Sequence, residues 1–296
     1  MHSKSLVASL VFAFAVSTAM AADTAPTRGS LPAAVIVNKN VAARGGLQAW
    51  QAVHSISFQG TLGVGGNQRA ALPVPLPGKK AANLPSDQRP AEEVQLPFLM
   101  EMQRPHKVRF ELQFKGQTAV QAFDGTSGWK LRPYLNRREV EPYTSEEMKK
   151  ASMQAELDGP LVDYVAKGTT IELDGMEKVE DRDNYKLKLT MKNGQIIHVW
   201  VDAQTFLESK IEGQPRRLDG VEHPVEIYYR NYRSVNGLQI PFVLETRVLV
   251  PATNGNHFME APTPIEKIVI EHVVVNPTLD ASLFSKLDIQ AEPNHH

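Results

Sequence analysis

From residue 93 to residue 275 the chain is written in short runs of alternating apolar and polar residues divided by turn signals. That pattern restricts it to an antiparallel sheet. The clearest run is 107–114, where Val108, Phe110, Leu112 and Phe114 alternate with Arg109, Glu111 and Gln113. Comparable runs fall at 94–103, 118–124 and 129–132, and again at 170–173, 177–180, 185–191, 195–201, 206–213, 225–233, 238–249 and 265–275. An earlier one, 55–61, places Ile56 and Phe58 on one face. Most of the connections are too short for the crossovers that parallel strands require.

Asn193-Gly194 is the strongest hairpin signal. A two-residue loop there pairs residue 192 with 195, 189 with 198 and 187 with 200. Tyr185, Leu187, Leu189, Met191, Ile196, His198 and Trp200 then share one face, and Lys186, Lys188, Thr190, Ile197, Val199 and Val201 the other. In the strand at 225–233 the same alternation sets Tyr228 and Tyr232 against Tyr229.

Helical signals are few. Pro32 suits a first turn, Ala33, Ile36, Val37 and Val41 recur at helical spacing, and Gly45-Gly46 ends the run, predicting a helix over 32–43. A shorter helix, 47–53, carries Trp50. Thr144-Ser145-Glu146-Glu147 is a capping box ahead of a helix at 146–156. Asp158-Gly159-Pro160 then breaks the chain before a short helix at 161–166. The fold class is mainly β (α+β): an antiparallel sheet of about ten strands, which tends to curl or close. The helices at 32–53 and 145–166 are its natural cover.

The N-terminus reads as a signal peptide over 1–21. Lys4 gives the basic start, 6–16 is an apolar core too short to span a bilayer, and Ala19-Met20-Ala21 is the cleavage site. About 275 residues remain. The chain has no cysteine, so neither lipidation nor a disulfide can anchor or staple it, and a hydrophobic core must hold it together. A soluble protein working outside the cytoplasm is expected, with a polar leader at 22–30, one domain over 31–288 and a flexible tail at 289–296. Within the domain, about 63–90 forms a Pro/Gly-rich insertion, read as a surface segment or a mobile lid. Lys and Arg number 32 against 33 Asp and Glu, so no basic stripe argues for nucleic acid.

A large sheet under helices can enclose an apolar cavity. Its expected lining is Phe58, Leu99, Phe110, Leu112, Leu187, Leu189, Trp200, Tyr229, Phe242 and Leu244, each of which also reads as ordinary core. Arg104, Arg109 and His198 are its candidate polar members. No catalytic residue, metal or cofactor is expected. The histidines lack ligand spacing, Ser127 lacks the setting of a hydrolase nucleophile, and there is no phosphate-binding or dinucleotide motif.

Five passages, in order, resemble the outer-membrane lipoprotein-sorting protein family, whose members are similar to the LolA/LolB lipoprotein carriers. They are Gly45-Gly46-Leu47 followed by Val53-His54-Ser55-Ile56; Ala122-Phe123-Asp124-Gly125-Thr126-Ser127-Gly128-Trp129; Asp158-Gly159-Pro160-Leu161-Val162-Asp163-Tyr164; Tyr185-Lys186-Leu187-Lys188-Leu189 with Val201-Asp202-Ala203-Gln204-Thr205; and Tyr232-Arg233-Ser234-Val235-Asn236-Gly237-Leu238-Gln239-Ile240-Pro241-Phe242. The resemblance spans about 33–286. It implies a half-open, strongly curled antiparallel β-barrel around helices, with a cavity for acyl chains. Arg104 and Arg109 are candidates, by strand position, for the arginine on which the true carriers depend. The expected role is a monomeric periplasmic carrier of a lipidated protein or lipid, delivering to a membrane acceptor or transporter. Two alternatives stay open: an accessory or sensor subunit docking to an envelope complex without lipid, and an enzyme acting on a hydrophobic substrate.

Overall fold

The computed structural model describes residues 31–65, 93–133, 137–218, 220–251, 258–260 and 265–286. The expected signal peptide, leader and terminal tail, and the insertion beyond residue 65, lie outside them.

Two helices open the described chain, α1 (Ala33–Ala43) and α2 (Leu47–Gln51). Six strands follow: β1 (Ser55–Gly65), β2 (Glu93–Gln103), β3 (Lys107–Phe114), β4 (Gln117–Phe123), β5 (Gly128–Arg132) and β6 (Arg137–Pro142). After α3 (Ser145–Gln154) come β7 (Thr170–Val179), β8 (Arg182–Thr190), β9 (Ile196–Asp202), β10 (Glu208–Glu212), β11 (Arg216–Leu218) and β12 (Val221–His223). The last strands are β13 (Val225–Val235), β14 (Leu238–Pro251), β15 (Phe258–Glu260) and β16 (Glu266–Val275), before a 3-10 turn at Ala281–Phe284.

Fourteen strands form one antiparallel sheet in the order β6-β5-β4-β3-β2-β1-β16-β14-β13-β10-β9-β8-β7, with β15 branching from β14; β11 and β12 make a separate ribbon. The path is open, since β6 and β7 pair with no second strand among the described residues. The expected curled half-barrel of about ten strands is therefore corrected to one larger open sheet. Sheets of this width occur open. The sequence pattern missed β6 because Arg137-Arg138-Glu139-Val140-Glu141-Pro142 has almost no apolar residue to alternate.

The helical layer covers one face. Ile36 and Val37 of α1, with Leu161, pack on Tyr185, Leu187, Leu189, Ile197, Val199 and Val201 of β8 and β9. Trp50, Val53 and Val162 pack on Ile56, Phe98, Met102, Leu238, Ile240, Phe242 and Ile270, from strands around β1. Fully burying each such Val, Leu or Ile is worth about 1.5–3 kcal/mol. At the β3–β4 end Ala151 and Ala155 meet Phe123, and the capping box forms as the sequence predicts, Thr144 bonding Glu147 in both directions. The predicted helix at 161–166 does not form. Residues 157–168 run as turns, with Asp163, Gly159 and Gly168 at positive φ.

The β8–β9 register is corrected by one residue. Met191 N–H donates to Gln195 O, Gly194 takes φ +82, and Thr190 stands opposite Ile196. The loop is thus three residues, Lys192-Asn193-Gly194, in which glycine supplies the left-handed step. A one-residue change exchanges faces. Leu187 now opposes Val199 and Leu189 opposes Ile197, all on the covered face. Lys186 opposes Trp200 and Lys188 opposes His198 on the other.

Candidate ligand-binding cavity

Between the helical layer and the covered face lies a cavity of about 190 Å³. Trp50, Phe58, Met100, Ile211, Leu244 and Ile270 supply apolar wall, and Arg44, Glu208, Tyr229 and Tyr232 supply a polar end.

The polar end is built by the α1–α2 link. Arg44 follows α1, and its carbonyl accepts from Trp50 Nε1 at 3.1 Å and from the Gln239 N–H at 3.0 Å. Gly45, at φ +115, makes this close approach to the β13–β14 turn possible, because a Cβ there would collide with Gly237 O. The Arg44 side chain turns inward. Its guanidinium stacks 4.4 Å from the Trp50 ring, donates to Asp158 O at 2.9 Å and pairs with Glu208 Oε1 at 3.2 Å. Both partners are almost wholly buried, so neither charge has water as an alternative. Arg44 Nε has no hydrogen-bond partner among the described residues.

Glu208 is further bound by the Tyr232 hydroxyl, which donates to its carbonyl at 3.0 Å and to Oε2 at 3.2 Å. Burial, and after it the Glu208 charge, pushes the Tyr229 and Tyr232 hydroxyls well above the ordinary tyrosine range, so both stay protonated donors. Alternation predicted Tyr232 on the face of Tyr228. Asn231 sits at φ +54, which breaks the alternation and turns Tyr232 to the side of Tyr229. Tyr228 packs on the opposite face with Trp200 and Val179.

A second cluster pins the 157–168 segment to the sheet. Arg104, just past β2, binds Asp158 Oδ2 at 2.7 Å, Val53 O at 2.8 Å and Trp50 O at 3.2 Å. Lys167 binds the other Asp158 oxygen, and Glu156 lies 3.1 Å from both Lys167 and His106. Burial alone would raise the Asp158 carboxyl; the hydrogen bonds from Lys167 and Arg104 outweigh it and hold the group below the usual carboxylate range.

The predicted lining divides three ways. Phe58, Tyr229 and Leu244 line the cavity. Phe110, Leu112 and Phe242 belong to the core cluster beside it, and Leu187 and Leu189 are fully buried under α1. Leu99 and Trp200 stand on the opposite face: Leu99 pairs with Glu111 and Gln59, while Lys210 lies 4.0 Å from the Trp200 ring. Among the polar candidates Arg104 reaches the helical layer. Arg109 sits on the opposite face, bonded to Glu111 at 2.6 Å and Leu283 O at 2.8 Å. His198 is there too, bonded to Glu212 at 2.9 Å, because the register slip carried it across. Sequence reasoning missed Arg44, Glu208 and Tyr232. No spacing marks them: Arg44 lies at a helix end, Glu208 beside a bulge at Ser209, and Tyr232 past the reversed Asn231.

No protein-family model matches the sequence, and no curated protein matches it either. Solved structures do match over most of the chain. A DUF1329 family protein from Desulfovibrio piger aligns with a TM-score of 0.53 and 12% identity, covering 88% of this chain and 100% of that one. A domain assigned to the outer membrane lipoprotein-sorting proteins, from Vibrio parahaemolyticus, aligns with a TM-score of 0.50 and 13% identity, covering 86% and 97%. The LolA superfamily protein NE2245 from Nitrosomonas europaea aligns over 87% and 99% at 14% identity, with a TM-score of 0.48. The chain thus has the fold of the lipoprotein-sorting domains.

Proposed function

We propose that this protein is a non-enzymatic periplasmic carrier that holds an acyl chain of a lipid or lipidated protein between its helical layer and its sheet, for release to a membrane acceptor. The observation that carries the reading is the apolar cavity between Trp50 on the cover and Phe58, Met100, Leu244 and Ile270 on the sheet. Moving each acyl CH₂ from water into such a wall is worth about 0.8 kcal/mol. The fold shared with the lipoprotein-sorting domain supports the same role and a periplasmic location. The polar end supports binding over catalysis. Glu208 is committed to Arg44 and Tyr232, and the two tyrosines are held protonated, so neither group is poised as a general base.

The direct test is uptake of a fluorescent fatty acid. Wild-type protein is expected to take it up with saturation, and Leu244→Trp, which fills the cavity from the β14 side, to lose at least tenfold in affinity. Equal uptake by both would place the chain elsewhere and refute this site.

A further inference from the structure

The sheet has a seam. β10 pairs with β13 only at Lys210, Ile211 and Glu212, opposite Tyr228, Ile227 and Glu226. From Tyr229 onward β13 keeps β14 as its partner and makes no further pair with β10. Two departures from regular strand hold the sides apart. Ser209 is bulged, since Glu208 opposes Val201 and Lys210 opposes Trp200, and Asn231 takes φ +54. A side chain closes the gap where a ladder bond would stand, the Tyr232 hydroxyl donating to Glu208 O.

On the outer side of this seam is a second pocket, of about 390 Å³. Glu208, Tyr229 and Tyr232 line both it and the inner cavity, so these three side chains are the wall between the two spaces. The inner cavity alone falls below the roughly 300–1,000 Å³ of ordinary ligand sites, and the two compartments joined fall within it.

The outer pocket carries both charge signs. Arg182 pairs with Asp202, and Arg230 pairs with Glu180 at 2.5 Å. Arg182 and Glu180 are each about half exposed, 54% and 52%, so one member of each ion pair remains open to solvent at the pocket. The charge of Glu208 is met by Arg44 from the inner side, which leaves two carboxylates, Glu180 and Asp202, against two guanidinium groups in the lining. A purely anionic head group would find each guanidinium already beside a carboxylate. A zwitterionic one can match both signs.

We propose that the seam between β10 and β13 is a lateral portal, through which a single-chain amphiphile threads its hydrocarbon into the inner cavity while its zwitterionic head group rests in the outer pocket. This rests on the reading of the inner cavity as an acyl site.

The test uses lysophosphatidylethanolamine carrying a photoreactive group at either the chain end or the head-group amine, with the full mature protein. The chain-end probe is expected to cross-link peptides containing Met100 or Leu244, and the head-group probe peptides containing Arg182, Ser209 or Arg230. Ser209→Trp, which crowds the outer pocket, is expected to slow uptake at least tenfold without moving the urea midpoint; Ser152→Trp, exposed on α3, is expected to leave it unchanged. Cross-linking of the head-group probe to the cover, at Glu156 or Lys167, with the chain end still at Met100, would overturn the portal and leave the acyl site standing. Unchanged uptake by a folded Ser209→Trp would also overturn the portal. Absence of any uptake would overturn both readings.

Discussion

Arg44 and Glu208 are where single side chains matter most. Each is buried, and each is the other's charge partner. Glu208→Ala strands a buried guanidinium and is expected to cost about 3–5 kcal/mol, read as a lowered urea midpoint. Arg44→Met combined with Glu208→Leu removes both charges and is expected to recover part of that loss. A Glu208→Ala midpoint equal to wild type would show that the pair is solvated. The acidic limb of the stability curve is set by other carboxyls. Asp158, Asp202 and Glu245 are each pushed up by burial and brought lower still by hydrogen bonds, chiefly from Lys167 with Arg104, from Arg182, and from Arg230 respectively. A carboxyl lowered in the folded state contributes fully above its unfolded value, near pH 4, and that contribution is lost as the pH falls through the folded value, because the unfolded chain takes up protons first. Urea midpoints are therefore expected to hold from pH 7 to about 5 and to drop below 4. Asp158→Asn is expected to be less stable at pH 7 and to show a shallower drop.

At the scale of elements, the turn at Lys192-Asn193-Gly194 decides which side chains become core. Deleting Lys192 would leave the two-residue Asn-Gly loop that the sequence pattern suggests. Met191 would still oppose Gln195 across it, so Leu187 keeps Val199 as its partner and the apolar rows of β8 and β9 stay on one face. Retained cooperative unfolding is the expected result, followed by near-ultraviolet circular dichroism. Loss of that transition would mean that Lys192 pairs with Gln195 in the wild type, a register that the deletion would displace by one residue. The same turn marks how far the sequence was legible. Runs such as Lys107–Phe114, whose alternation is unbroken, emerge as read. Alternation counts residues in twos, so it fails wherever one residue is inserted or reversed. Gly194 in the hairpin, Ser209 in β10 and Asn231 in β13 are three such places. Those departures moved Trp200 and His198 off the covered face and brought Glu208 and Tyr232 to the cavity. The apolar half of the site was thus partly readable, while the polar half depended on irregularities that local pattern does not encode.

For the whole molecule, the sheet is wide and open, and its helical layer is thin. α1, α2 and the turns at 157–168 cover strands from both halves of the sheet, and a cavity remains beneath them. A ligand held there binds only the folded state and adds stability by mass action, about 2.7 kcal/mol at a hundredfold excess over Kd. The measurement that bears most directly on the carrier role is native mass spectrometry of the mature protein taken from a bacterial periplasm, with lipid extraction of the same sample. A discrete added mass that extracts as a lipid or an acylated peptide is the predicted result. A clean apo mass, with no uptake of a fluorescent fatty acid by the same sample, would contradict it and leave a docking module in its place.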